Sequence, residues 1–348
     1  MLEAYDLDAT AASLEPWLRT KLPSQAPKVE NLRAPDGAGF SNETLLFDIR
    51  DENSAEVESL VVRLAPTEHF VFPRYDLAAQ YRLMDALASC GIAVPRMRWL
   101  EQDPSILGTP FYVMNAVEGE VPPDIPPYHS VGIMADSPLE TRERMWLSGI
   151  DSMAAVHRID WQKLGLDFLG RPDSPRSAME AQLAYWNDYF SWARGNTPVP
   201  QIETALAWLG SNLPTPKRSA LCWGDARLSN LIFLDGRVSA VLDWEMAFIG
   251  DPEADLAWWL FFDWHHSEGC ELPRLEGLPG RDASVARWES LTGLRADNLF
   301  YYDIFATTRF GCIMIRVAET MEAKGFPLPT ADLGSNNACT RRLAELLG

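Results

Sequence analysis

Residues Leu221–Glu245, reading LCWGDARLSNLIFLDGRVSAVLDWE, decide how this chain folds. Ser219 to Trp223 is a short apolar run that meets a turn at Gly224, a residue that breaks a regular strand. Asn230 to Leu234 then has strand composition, Asp235-Gly236 is the dipeptide of a type I′ hairpin turn, and Arg237 to Asp243 alternates as the returning strand. The pattern puts Asp225 on a loop, Asn230 at its far end, and Asp243 where the second hairpin strand runs out. Loop ends beside a rigid hairpin can bring polar side chains together.

Two carboxylates and an amide so placed suit phosphoryl transfer, whose loose transition state needs positioning and charge neutralisation above all. Carboxylate and amide oxygens are hard ligands of the kind Mg²⁺ accepts alongside phosphates. A further carboxylate beside an acceptor hydroxyl can orient it and take its proton. Asp225 fits the base; Asn230 and Asp243 fit the metal.

The segment resembles the catalytic loop and metal-binding strand of the protein-kinase-like fold, in its aminoglycoside phosphotransferase branch. The branch pattern H-G-D-x-x-x-x-N, then a hairpin and I-D-W/F, is matched by Trp223-Gly224-Asp225, Asn230 and Leu242-Asp243-Trp244-Glu245. Trp223 replaces the usual His, which is expected to remove one hydrogen-bonding support of the loop. Ile249-Gly250-Asp251-Pro252 with Asp255 is similar to the family's G-D-P-x-x-D-L-A element, implying that Asp255 supports the loop from beneath. Val156-His157-Arg158-Ile159-Asp160 resembles its L-H-x-x-D helix end, with His157 structural. The implied fold is α+β and bilobal: a small β-rich lobe over residues 1–114, a hinge at 115–119, and a large, mainly helical lobe over 120–348.

The amino-terminal part supports this reading. Gly37-Ala-Gly39-Phe-Ser41-Asn42, leading into the strand Leu45–Ile49, reads as a glycine-rich hairpin whose amides and Ser41 and Asn42 side chains could cover phosphates. Ser59 to Pro66 is an apolar strand carrying one cation, Arg63, and a buried cation needs an anionic partner. The resemblance, here to the kinase-like domains of some acyl-CoA dehydrogenases, implies that Arg63 holds the α- and β-phosphates. Gln80, on the helix after Asp76, stands where the fold has a Glu; it either orients Arg63 through its carbonyl oxygen or is an ordinary helix residue. Val94-Pro95 and Leu107–Met114 read as the last strands of the lobe. Main-chain groups of Asn115 to Val117 are the implied site of the purine base, with ATP as the default and GTP an open alternative.

The remainder reads as helical. Tyr185, Trp186 and Tyr189 on one helix, with Trp258 and Phe262 on the helix Glu253–His266, are candidate walls of an acceptor pocket, although core packing produces the same stripe. Glu245 could bind a second Mg²⁺ through water or cap the next turn. His265 and His266 are neighbours on a helix and point in different directions, so shared metal ligation is not expected.

Composition sets the outer bounds. At 348 residues and 47% hydrophobic content the chain is long enough to divide into two cored regions. No apolar run approaches the roughly 20 residues that span a bilayer. The formal charge of -19 argues against nucleic acid and anionic membranes as partners. Five scattered cysteines without metal-ligand spacing, and a start lacking a signal-peptide pattern, suit a reducing, cytoplasmic setting. The expected activity is ATP- and Mg²⁺-dependent phosphorylation of a hydroxyl on a small molecule, whether a hydroxyacyl thioester, a cyclic alcohol or an aminoglycoside-like acceptor. The rival expectation, motivated by Trp223 and Gln80, is a non-catalytic nucleotide-binding module. Oligomeric state is left open.

Overall fold

Five antiparallel strands and two helices make up the amino-terminal region of the computed structural model, which describes residues 6–22, 26–35, 43–51, 57–68 and 70–348. Strands β1 (Pro27–Arg33), β2 (Glu43–Asp51), β3 (Val57–Leu64), β4 (Met97–Glu101) and β5 (Phe111–Asn115) lie in the order β1-β2-β3-β5-β4. Central β3 places Arg63 opposite Thr44 on one neighbour and Tyr112 on the other. Because side chains alternate along a strand, Leu60, Val62 and Leu64 share one face and Val61 and Arg63 the other.

The two faces have different cores. Leu60, Val62 and Leu64 pack with Phe47, Phe111, Val113 and helix α1 (Leu7–Lys21), whose Leu14, Trp17 and Leu18 close a separate apolar cluster. Asp6 caps α1 by accepting the Ala9 N–H at 2.9 Å, and Trp17 Nε1 donates to Glu101 Oε2 at 2.7 Å. On the other face, Val61, Tyr112 and Met114 meet Leu83, Met84 and Leu87 of helix α2 (Leu77–Ser89) and continue into the large core of the rest of the chain. Val94-Pro95 is not a strand: β4 begins at Met97, since a proline cannot donate to the ladder. The Ala93 carbonyl instead accepts from the Val241 N–H at 2.7 Å.

After β5 the chain crosses to a helical region: α3 (Gly132–Asp136), α4 (Leu139–His157), α5 (Pro175–Arg194), α6 (Pro200–Ser211), α7 (Glu253–His266), α8 (Arg281–Thr292), α9 (Leu299–Ala323) and α10 (Ala338–Leu347). Helix α9 is its axis, packing on α5, α6, α7 and α10. Between α6 and α7 lie two small antiparallel pairs, β6 (Ala220–Cys222) with β9 (Phe248–Gly250) and β7 (Leu231–Leu234) with β8 (Arg237–Val241). Asp235 and Gly236, at φ 52° and 73°, form the expected left-handed turn between β7 and β8.

A second connection joins the two regions besides the linker. The segment between β3 and α2 lies against α5 and α9: Tyr189 Oη donates to the Val71 carbonyl at 2.5 Å, the Phe72 and Tyr189 rings meet edge-on at 5.8 Å, and Arg316 Nε donates to the Phe70 carbonyl at 3.1 Å.

Candidate active site

The loop after β6 is held from below before it carries any chemistry. Gly224 sits at φ +90°, and a Cβ there would lie 2.0 Å from the Met246 carbonyl oxygen, so no larger residue fits. Asp255, in the first turn of α7 and fully buried, accepts the Trp223 N–H at 2.6 Å and the Gly224 N–H at 2.9 Å. His157 adds a third bond: its Nδ1 accepts from Trp288 Nε1 at 2.9 Å, which leaves the proton on Nε2, 3.0 Å from Asp255 Oδ2.

Trp223 does not leave the loop short of support. Its indole Nε1 donates to the Leu242 carbonyl at 2.8 Å, tying the loop to the residue before Asp243. The indole thus supplies a support of its own at this position, and the expectation that the replacement of His leaves the loop short of one is corrected.

Asp225 is bound on both oxygens. Trp258 Nε1 donates to Oδ1 at 2.7 Å; Asn230 Nδ2 at 2.7 Å and Arg227 Nε at 3.0 Å donate to Oδ2. Asn230 ends the short turn Leu228–Asn230 and also donates to the Asp225 backbone carbonyl at 3.0 Å. Burial raises the Asp225 pKa above the usual carboxylate value, and the negative charge of Asp243 adds to this, while Arg227 and the bonds from Trp258 and Asn230 oppose it. Arg227 reaches on to Asp124 with Nη1 and lies 5.0 Å from the Phe262 ring.

Asp243 follows β8 in the left-handed region, at φ +60°, an uncommon conformation for a residue with a side chain. Its Oδ1 accepts from Arg63 Nη2 at 2.8 Å. Burial works against the Arg63 charge, yet Asp243, with Tyr112 and Glu245, holds its pKa above the ordinary arginine value. Arg63 Nε is buried without a partner among the described residues. Gln80 does not orient Arg63: its Oε1 accepts from Tyr112 Oη at 3.4 Å. A neutral amide is the weaker partner for a guanidinium, and the carboxylate of Asp243 takes it.

Several expected contacts fall elsewhere. Gly37, Gly39, Ser41 and Asn42 lie outside the described residues. At the linker, the Asn115 N–H is bonded to the Arg96 carbonyl and the Ala116 N–H to the Ser59 carbonyl, each at 2.9 Å, while Asn115 Nδ2 donates to Glu58 at 2.8 Å. The first two amides therefore extend the sheet and are not open to a base; the Val117 N–H has no partner among the described residues. Trp186, Tyr189, Trp258 and Phe262 are buried core residues rather than an open wall, because the inward faces of α5 and α7 pack against α9. Tyr185 is the exposed member of that set, at 42%. Glu245 is half-buried and near enough to Arg63, Tyr75 and Tyr185 to act on their charges. His266 is buried and His265 half-buried, and desolvation pulls them down to about 4 and about 3; His266 Nε2 lies 3.5 Å from Asp124.

Three residues of the site carried no weight in the sequence reading. Arg227 stands two places after Asp225, where its position inside the motif was the available signal. Asp124 lies between prolines in the stretch 122–127, and Arg309 stands 85 positions from the Gly224 carbonyl it binds, so neither has a local sequence signal.

A model of the phosphotransferase enzyme family matches residues 33–288. Acyl-CoA dehydrogenase family member 10 of Mus musculus is 32% identical over 224 residues, covering 63% of this chain, and family member 11 of Gallus gallus is 32% identical over 204 residues, covering 58%. The chain spans only 19% and 25% of the lengths of those two relatives. Among solved structures, one from Ralstonia eutropha assigned to the aminoglycoside phosphotransferases superposes with a TM-score of 0.69 at 24% identity, covering 96% of each chain. A thermostable mutant of aminoglycoside phosphotransferase APH(4)-Ia, in a ternary complex with ADP and hygromycin B, gives 0.57 at 16% identity, covering 96% of this chain and 98% of that one. These likenesses establish the kinase-like fold, and with the family model covering most of its length, this chain belongs to the phosphotransferase enzyme family.

Proposed function

We propose that this phosphotransferase moves the γ-phosphate of ATP to a hydroxyl of a small molecule, with Asp225 as the orienting group and base. The observation that carries the reading is the pairing of two differently held carboxylates: Asp225, bonded on both oxygens, and Asp243, joined to Arg63, whose Nε still lacks a partner. An unmatched guanidinium donor on the strand that reaches Asp243 suits a phosphate oxygen.

The donor set fits Mg²⁺. Asn230 commits its amide nitrogen to Asp225, which leaves its carbonyl oxygen as the ligand atom, and Asp243 keeps Oδ2 beyond its bond to Arg63. Among the described residues no three His, Cys, Asp or Glu side chains are grouped to hold a metal unaided, as suits an ion that shares its ligands with phosphates. Bound by Asn230 and Asp243, Mg²⁺ would supply neutralisation of the phosphate charge. Arg63 would then hold phosphate oxygens, Val117 would meet the base, and Gly37, Gly39, Ser41 and Asn42 would cover the phosphates. Asp225 would accept the acceptor's proton as the new P–O bond forms and ADP leaves.

The acceptor is a small hydroxylated compound. Tyr185, exposed and near Glu245 and Arg309, suits a wall of its pocket. Among the described residues no helix is long and apolar enough to cross a membrane. A cytoplasmic site of action is part of this proposal. The test is a mass-spectrometric screen for Mg²⁺-dependent transfer from ATP to aminoglycosides, hydroxyacyl-CoA thioesters, sugars, amino alcohols and cyclic alcohols, with Asp225→Ala as control. A product one phosphoryl group heavier, formed only by the unsubstituted protein, is expected. Equal product from both proteins would remove Asp225 from its role.

A further inference from the structure

Helix α9 passes beneath the loop after β6 and carries a side chain that the proposed chemistry does not use. Arg309 is 1% exposed, and its Nε and Nη1 have no hydrogen-bond partner among the described residues. Among the described residues it forms no ion pair within bonding distance. Its one hydrogen bond runs from Nη2 to the Gly224 carbonyl at 2.7 Å, and its guanidinium lies 4.2 Å from the Trp258 ring and 5.1 Å from that of Trp186.

A cation in such a place opposes folding, and well-packed apolar residues usually serve a core better. Burial pulls its pKa down to about 10, with Asp255 and Asp225 the leading opposing charges, so it keeps its proton at neutral pH. Cation–π contact recovers part of the lost hydration. Something in the loop must account for the rest.

Gly224 supplies the reason. With no Cβ and φ at +90°, it offers little resistance to rotation of the peptide that joins it to Asp225, and that rotation would swing the carboxylate away. Asp255 fixes the amide of Gly224, and Arg309 fixes the carbonyl, so the residue is held at both ends. The Arg309 guanidinium also lies against Trp258, whose Nε1 is the donor to Asp225 Oδ1.

We propose that Arg309 is a positioning residue: it locks the Gly224–Asp225 peptide through the Gly224 carbonyl and steadies the Trp258 indole, so that the Asp225 carboxylate keeps one orientation. The consequence for turnover rests on the phosphotransfer reading; the consequence for geometry does not.

Crystal structures of Arg309→Met and Arg309→Lys test the geometry. The Gly224 carbonyl should turn away or take two orientations with Met, and stay in place with Lys, which can still donate to it. An unchanged carbonyl in the Met variant overturns the proposal. Steady-state turnover of Mg²⁺-ATP, with water as acceptor, tests the effect: kcat should fall by at least about tenfold in the Met variant, the scale of a small misplacement of a reacting group. The KM for ATP should stay within about threefold, and Lys should recover most of the rate. Equal losses in both folded variants, or an unchanged rate with Met, would mark Arg309 as structural only. If the unsubstituted protein turns over no ATP, the phosphotransfer reading has failed and the crystal structures decide alone. Should Arg309→Met not fold, Arg309→Gln replaces it: a Gln that loses the Gly224 carbonyl yet keeps full turnover overturns the assignment, and one that keeps both supports it.

Discussion

Among the described residues, Asp225 receives hydrogen bonds from three side chains, Trp258, Asn230 and Arg227, while Asp243 receives one, from Arg63. The first carboxylate is oriented before any ligand arrives, which is how a group that acts in the transition state is best placed. The second is paired with a cation that phosphates would claim, and it sits on a left-handed backbone that only its surroundings hold in place. On the proposed reading, the two carboxylates illustrate two ways to prepare a site, one by fixing geometry and one by holding opposite charges together.

Substitutions should separate the two. The largest effect is expected from Asp225→Ala, which should lower turnover by about 10²- to 10⁴-fold while ATP affinity, read by calorimetry, changes little. A large loss of ATP affinity would instead place Asp225 on the nucleotide side and undo the contrast. Next comes the support beneath it: Asp255→Ala strips two loop amides and His157 of their acceptor and should cost about 3–5 kcal/mol of stability, seen in urea unfolding. Asp243→Asn should weaken Mg²⁺-ATP binding by at least about 10- to 100-fold, the scale already seen for loss of a group that only supports a metal ligand, with a much smaller effect on ATP in EDTA. Equal weakening with and without Mg²⁺ would show that Asp243 serves Arg63 rather than the metal.

The smallest effect concerns acid. His265 and His266 are depressed by burial to about 3 and about 4, far below their ordinary 6.5, so the fold favours their neutral forms. The stability this contributes is complete above pH 6.5 and is lost progressively as pH falls, to about 4 for His266 and about 3 for His265. Because His266 adjoins Asp124, which binds Arg227, acidification should loosen the Asp225 side. A melting temperature that drops across this window, with part of the drop abolished in His265→Phe, is the expected record; a flat profile would show the histidines to be charged or solvated.

Much of this was legible in the residues around Gly224, because short-range chemistry governs them. Asp235-Gly236 can form a two-residue turn, and the positions of Asp225, Asn230 and Asp243 follow from that hairpin. The partners were harder to see. Whether Arg63 pairs with Gln80 or Asp243 depends on how a strand from one region meets a hairpin from the other, and no local pattern encodes that distance. The same holds for the aromatic residues: helical spacing shows that Trp186, Tyr189, Trp258 and Phe262 share faces, but not that α9 covers those faces. Helix α1 was missed for a related reason, since its purpose is to cover the far face of a sheet whose arrangement has to be known first.

The tie between the β3–α2 segment and α5 has a kinetic meaning. The linker, the Val71–Tyr189 bond, the Ala93–Val241 bond and the Arg63–Asp243 pair fasten the two regions at separate places, like a door held by several bolts rather than one. Wide separation of the two regions would have to break several of these ties together. On the proposed transfer from ATP, departure of ADP through those ties, rather than the phosphate transfer itself, becomes the candidate for the step that paces the cycle.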